Sequence, residues 1–166
     1  MSDWKNDKRW ADRYWPQIVS VVKEVAGDII SVREATPDED TKRATDYVLA
    51  VDSGDIACRV RRWEYFQRFG DITLRSSRPS GVMTEVEKLR SGWGRWYLYA
   101  WAKPSGDFGA WVFIDLDLVR ASGLLGHQRQ ERQNRDGSSS FVSLPLAQLK
   151  HCIVRASTEA KDRIQL

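Results

Sequence analysis

The chain has 166 residues, 26 basic and 23 acidic side chains, and a formal net charge of +3. That is enough for one domain of ordinary size that needs no disulfide or metal to fold. A composition of 42% hydrophobic and 30% charged residues excludes a mainly disordered chain, and no apolar run approaches the roughly 18 residues of a membrane-spanning helix.

In chain order, residues 8–26 carry apolar side chains at helical spacing: Ala11, Tyr14, Trp15, Ile18, Val22 and Val25. Pro16 conflicts with an unbroken helix, so the reading is a helix starting near Trp15 with a separate turn before it and Gly27-Asp28 after it. Ile29 to Val32 reads as a short strand and the polar stretch 35–45 as a loop. Tyr47 to Val51 reads as a strand and Asp52 to Asp55 as a tight turn. The return strand runs from Ile56 to Trp63, with Ile56, Cys58 and Val60 on one face and Ala57, Arg59, Arg61 and Trp63 on the other.

Ile72 to Arg75 is the next strand. Thr84 then opens a helix with Glu87 three residues on, a capping box, and Gly92 stops it. Arg95 to Ala102 is a long aromatic strand whose Tyr97, Tyr99 and Trp101 share one face, to be read as core or, if exposed, as a base-stacking surface. A turn over Pro104–Asp107 leads to a strand from Trp111 to Asp115 and a short helix over Leu116–Ala121. Residues 126–140 hold no large apolar residue and are expected to form a mobile polar loop or hairpin tip. Phe141 to Leu144 reads as a strand and Pro145 to Ile153 as a last helix, and the tail 156–166 is expected to fray. The fold expected is α/β (α+β), a single domain over residues 1–166 with a central mixed sheet flanked by helices.

Cys58 and Cys152 stand in no metal-ligand spacing, and the charged start MSDWKNDKRW has no apolar core of the signal-peptide kind. An intracellular, cytoplasmic protein with reduced thiols is therefore expected. No phosphate-binding glycine loop, dinucleotide fingerprint or serine-hydrolase elbow is present in the sequence.

Charge is uneven: residues 1–55 carry −4, 56–104 carry +6 and 105–166 carry +1. The basic middle third holds Arg59, Arg61, Arg68, Arg75, Arg78 and Lys88, a set that phosphates would neutralise. The alternative is that these cations pair with Glu64, Asp71, Glu85 or Glu87. Eight tryptophans, with arginine outnumbering lysine 18 to 8, suit stacking and guanidinium recognition of either bases or a protein partner.

An acid, Asp46, at the start of one strand, then a turn, then a strand bearing charged residues two apart, resembles the PD-(D/E)XK nuclease-like superfamily over about residues 10–102. The resemblance implies a restriction-endonuclease-like core. It also implies a Mg²⁺ held by Asp46 and a second acid, with a basic residue in the lysine place. In one register that second acid falls at Ala57 with Arg59 as the base; in the other it falls at Arg59 with Arg61 as the base. Neither position carries a carboxylate, and Ala or Arg cannot ligate Mg²⁺. Glu85 and Glu34 are the substitutes at hand. The candidate catalytic set is thus Asp46, Glu85, Arg59 and Arg61, with Asp46 and Glu85 as metal ligands.

Two functions are expected from this reading. One is nucleic-acid binding, DNA ahead of RNA, with metal-dependent cleavage as its active form. The other is a small phage or mobile-element protein that binds and modulates a host protein complex without catalysis.

Overall fold

The computed structural model describes residues 4–26, 31–34, 47–51, 54–77, 80–126, 131–134, 137 and 139–165. The first helical region is two helices, α1 (Trp4–Asp12) and α2 (Trp15–Ala26). The break falls where Pro16 requires it, since a proline in the first turn of α2 withholds an N–H that no carbonyl there would accept.

Strands β1 (Ser31–Glu34), β2 (Tyr47–Val51) and β3 (Gly54–Arg62) form an antiparallel meander. The strand expected over 29–32 is described over Ser31–Glu34, and its residues 29 and 30 lie outside the described residues. Helix α3 (Trp63–Phe69) follows β3 directly, so Trp63 begins a helix and does not end the strand as its alternation predicts. The helix was hidden because Arg62 caps it without a side-chain hydrogen bond and Phe66 is its one buried residue. Its stop is plainer: Gly70 takes the left-handed conformation at φ 58° and donates its N–H to the Phe66 carbonyl.

Next come β4 (Asp71–Ser77), α4 (Glu85–Arg90), β5 (Trp96–Ala102), β6 (Phe108–Asp115) and α5 (Leu116–Ala121). Thr84 and Glu87 form the reciprocal capping box that the sequence predicts. The hairpin β7 (Glu131–Gln133) and β8 (Ser140–Pro145) takes up the end of the stretch expected as a loop or hairpin tip, of which residues 127–130 lie outside the described residues.

Residues Leu146–Cys152 form a 3₁₀ helix where an α-helix is expected. Leu146, Leu149 and Cys152 recur every three residues and all are buried, the period that a 3₁₀ turn aligns on one face. The tail, expected to fray, is instead ordered as β9 (Ile153–Ala156) and α6 (Thr158–Ile164). Ser157 caps α6 by accepting the Ala160 N–H, and Ala160 is fully buried.

The main sheet has six strands in the order β1-β2-β3-β5-β6-β9, with β3 and β5 parallel and the other pairs antiparallel. Strand β4, expected to join the central sheet, pairs with β8 in a separate three-stranded sheet, β4-β8-β7. The fold is therefore α+β, a mixed sheet with helices and a small second sheet packed on it.

Each face of the main sheet buries its own core. Ile56 and Cys58 of β3, Leu98 and Phe113 pack against Ile18, Val21 and Val22 of α2. The opposite face, with Tyr97, Tyr99, Trp101, Val112 and Ile114, packs against α3, the second sheet, α4, α5 and the 3₁₀ helix. Burial on both faces explains why β5 reads as an unbroken apolar run. It also makes Tyr97, Tyr99 and Trp101 core residues, since none is more than 2% exposed.

Candidate nucleic-acid interface

Alternation along β3 turns Arg59 and Arg61 toward the face covered by β4 and α4. Arg59 Nη1 donates to the Thr73 carbonyl at 3.0 Å and to Glu85 Oε2 at 2.6 Å. Glu85 also accepts the Arg75 backbone N–H at 3.1 Å and the Tyr97 hydroxyl at 2.6 Å. Its carboxylate thus ties β3, β4, α4 and β5 together, with both oxygens engaged by protein donors. Burial raises the Tyr97 phenol well above its ordinary range, and the facing Glu85 carboxylate adds to the rise.

One step along the strand, Arg61 donates to the Thr73 hydroxyl. That hydroxyl lies 3.2 Å from the Tyr99 hydroxyl, which also accepts the Thr73 N–H. The Arg61 guanidinium carbon stands 4.2 Å from the centroid of the Tyr65 ring. Behind it, buried Asp71 accepts the Ser143 hydroxyl. Burial raises the Asp71 pKa, and the Ser143 hydrogen bond and the Arg61 and Arg132 charges oppose that rise.

The remaining expected residues separate. Arg68 is exposed, its guanidinium 5.2 Å from the Phe69 ring centroid. Arg75 is half-buried beside Glu85. Lys88 is buried, its ammonium 5.6 Å from the Trp93 ring, which removes it from a surface-binding set. Asp46 and Arg78 lie outside the described residues, as do Arg129 and Arg135 of the polar stretch. Glu34 pairs in register with Tyr47 in the backbone ladder.

Among the described residues no three His, Cys, Asp or Glu side chains gather as a metal site would require. Glu85 acts here as the counter-charge of Arg59, so a Mg²⁺ ligand set would have to draw it away from Arg59 and Tyr97.

Two site residues escape a reading of the sequence: Tyr65 and Phe69. They are the exposed aromatic rings among the large hydrophobic side chains at the described surface, 37% and 47% exposed. Both sit on α3 four residues apart, which places them on one helix face, and each has an arginine over it. The spacing is visible in the sequence once residues 63–69 are known to be helical.

No family model and no curated protein matches the chain. Among the described residues no helix is long and apolar enough to cross a membrane.

Proposed function

We propose that the protein binds nucleic acid through the face formed by the end of β3 and by α3, on a nuclease-like core that serves as scaffold. The observation that carries the reading is the pairing of exposed rings with arginines, Arg61 on Tyr65 and Arg68 on Phe69. Rings stack on bases irrespective of sequence, and the guanidinium groups beside them meet phosphates. Among the described residues Arg61 makes no ion pair; its guanidinium is held by the Thr73 hydroxyl and acts on the Asp71 carboxyl, so an anionic partner would share it with Asp71. A helix, α2, precedes the meander β1-β2-β3 and a helix, α4, precedes β5, in keeping with the resemblance, while α3 and β4 stand between β3 and α4 and β4 lies in the second sheet.

The proposal rests on binding and draws on no metal. The test is binding of a fluorescent DNA duplex, a DNA single strand and an RNA at low and high salt, with the products run on a gel with and without Mg²⁺. Salt-sensitive binding that weakens in Arg61→Ala/Arg68→Ala and in Tyr65→Ala/Phe69→Ala is expected, with single strands favoured because their bases are free to stack. Cleavage lost in Asp46→Ala would add a catalytic role. Absence of binding to all three would overturn the reading and turn the same aromatic and arginine surface over to a protein partner, for which Tyr and Arg are equally suited.

A further inference from the structure

A second basic site lies at the carboxyl ends of β3 and β5. Strands β3 and β5 are parallel, and their carboxyl ends meet in register at Arg62 and Ala102. The crevice outside the carboxyl ends of parallel strands is where open α/β sheets bind ligands. Here a cleft of about 500 Å³ opens between the end of α1, the turn after it, the beginning of α3 and the Lys103–Gly106 turn. That volume lies within the range of about 300–1,000 Å³ common to small-ligand sites.

The lining is basic and aromatic: Arg13, Arg62 and Lys103 face a single acid, Glu64, with Trp10 and Tyr14 as walls. Among the described residues none of the three cations makes an ion pair. The Arg62 guanidinium lies 5.7 Å from the Trp10 ring and the Lys103 ammonium 5.3 Å from the Trp63 ring, so both heads are held over aromatic faces. The far wall is fixed as well. Gln17 of α2 donates to the Gly106 carbonyl at 2.5 Å and accepts the Phe108 N–H at 2.9 Å, clamping the β5–β6 turn to the helix.

We infer that this cleft binds a nucleoside monophosphate unit, free or as the phosphorylated end of a strand. The three cations would meet the phosphate, and the base would stack on the face of the Trp10 indole that Arg62 does not cover. The inference goes beyond the reading above: Arg62 and Glu64 come from the same strand–helix junction, but Arg61, Tyr65, Arg68 and Phe69 do not line the cleft.

The test is calorimetric titration of the full chain with adenosine monophosphate, adenosine and inorganic phosphate, and then with one single-stranded oligonucleotide carrying a terminal phosphate or hydroxyl. Adenosine monophosphate should bind with a stoichiometry of one and more tightly than adenosine or phosphate. Arg62→Gln and Lys103→Gln should each weaken it about tenfold, the loss expected for one hydrogen bond to a charged group. Trp10→Leu should weaken the nucleotide more than it weakens inorganic phosphate.

Preference for the phosphorylated oligonucleotide, lost in Arg62→Gln, would assign the site to strand ends; binding of the free nucleotide without that preference would assign it to nucleotides. Arg62 and Arg13 are exposed, so their substitution leaves the core intact. If neither ligand shows binding that depends on Arg62 or Lys103, the inference fails. The two readings separate, because Arg61→Ala/Arg68→Ala should leave nucleotide binding unchanged even if it abolishes oligonucleotide binding.

Discussion

Arg59 and Glu85 are joined by an N–H···O contact of 2.6 Å between the third strand of the main sheet and the first turn of the capped helix. Their side chains are 30% and 13% exposed, so the pair is only partly screened by water. Removing the acid takes the counter-charge from Arg59, which keeps the Thr73 carbonyl, and an acceptor from the Tyr97 phenol and the Arg75 N–H. Glu85→Ala should therefore cost about 2 kcal/mol or more, read as a lower urea midpoint at unchanged slope. Glu85→Gln, which keeps an acceptor, should cost less. An unchanged midpoint in Glu85→Ala would refute the structural role and return Glu85 to consideration as a metal ligand.

Tyr97 supplies an alkaline signature. Burial, then Glu85, raises its pKa in the fold, so the folded state holds the phenol proton longer than the unfolded chain does. Below the unfolded tyrosine value, about 10, this has no effect on stability. As pH rises past it, the unfolded state gains by ionising and stability falls. Tyr97→Phe should remove that part of the alkaline loss, as seen in thermal melts at neutral and alkaline pH.

Asp71 works in the acid range with the same sign. Its folded pKa is raised, so between the unfolded and folded values the native state binds more protons and stability falls as pH increases. Above the folded value the penalty for an ionised, buried carboxylate is fully present. Asp71→Asn keeps an acceptor for the Ser143 hydroxyl and removes the titration. It should flatten the stability profile just above pH 4; a profile that parallels the parent would contradict this.

Gly109 has no room for a side chain. A Cβ there would lie 2.4 Å from Trp63 Cε3 and 2.9 Å from Lys103 Cε. The indole is stacked on Phe66 with ring centroids 4.8 Å apart, so it cannot yield without disturbing that pair. Gly109→Ala should destabilise by about 1–3 kcal/mol, with a change in tryptophan emission as Trp63 is displaced.

The tail is a structural element, and its removal should show it. Ser157 and Trp111 exchange two bonds: the Ser157 N–H meets the Trp111 carbonyl at 3.0 Å, and the Trp111 N–H meets the Ser157 hydroxyl at 3.2 Å. Arg163 reaches the Gln67 carbonyl at 2.9 Å. Deleting residues 157–166 exposes the larger core where Ala160 sits and should lower the melting temperature by several degrees or more. Ser157→Ala should reproduce about 1 kcal/mol of that loss as a missing cap.

Local chemistry was enough to read several elements from sequence alone. The Thr84–Glu87 capping box, the strand over Tyr47–Val51, the helix over Leu116–Ala121 and the two faces of residues 56–60 all depend on neighbours within a few positions, and those interactions are written in the chain. The α+β class followed from their order. Partnership across the chain was not legible in that way. Strand β4 has the composition of a central strand but pairs with β8, some seventy residues later, and only the packed structure selects that partner. The same holds for charge. Arg59, Arg61, Arg68 and Lys88 look equivalent as basic residues. Tertiary packing gives Arg59 to Glu85 and buries Lys88, and it leaves Arg61 and Arg68 over exposed rings. Composition sets how many cations a chain carries, but the fold decides which carboxylates they meet, because an ion pair depends on distances that close only when remote strands and helices come together.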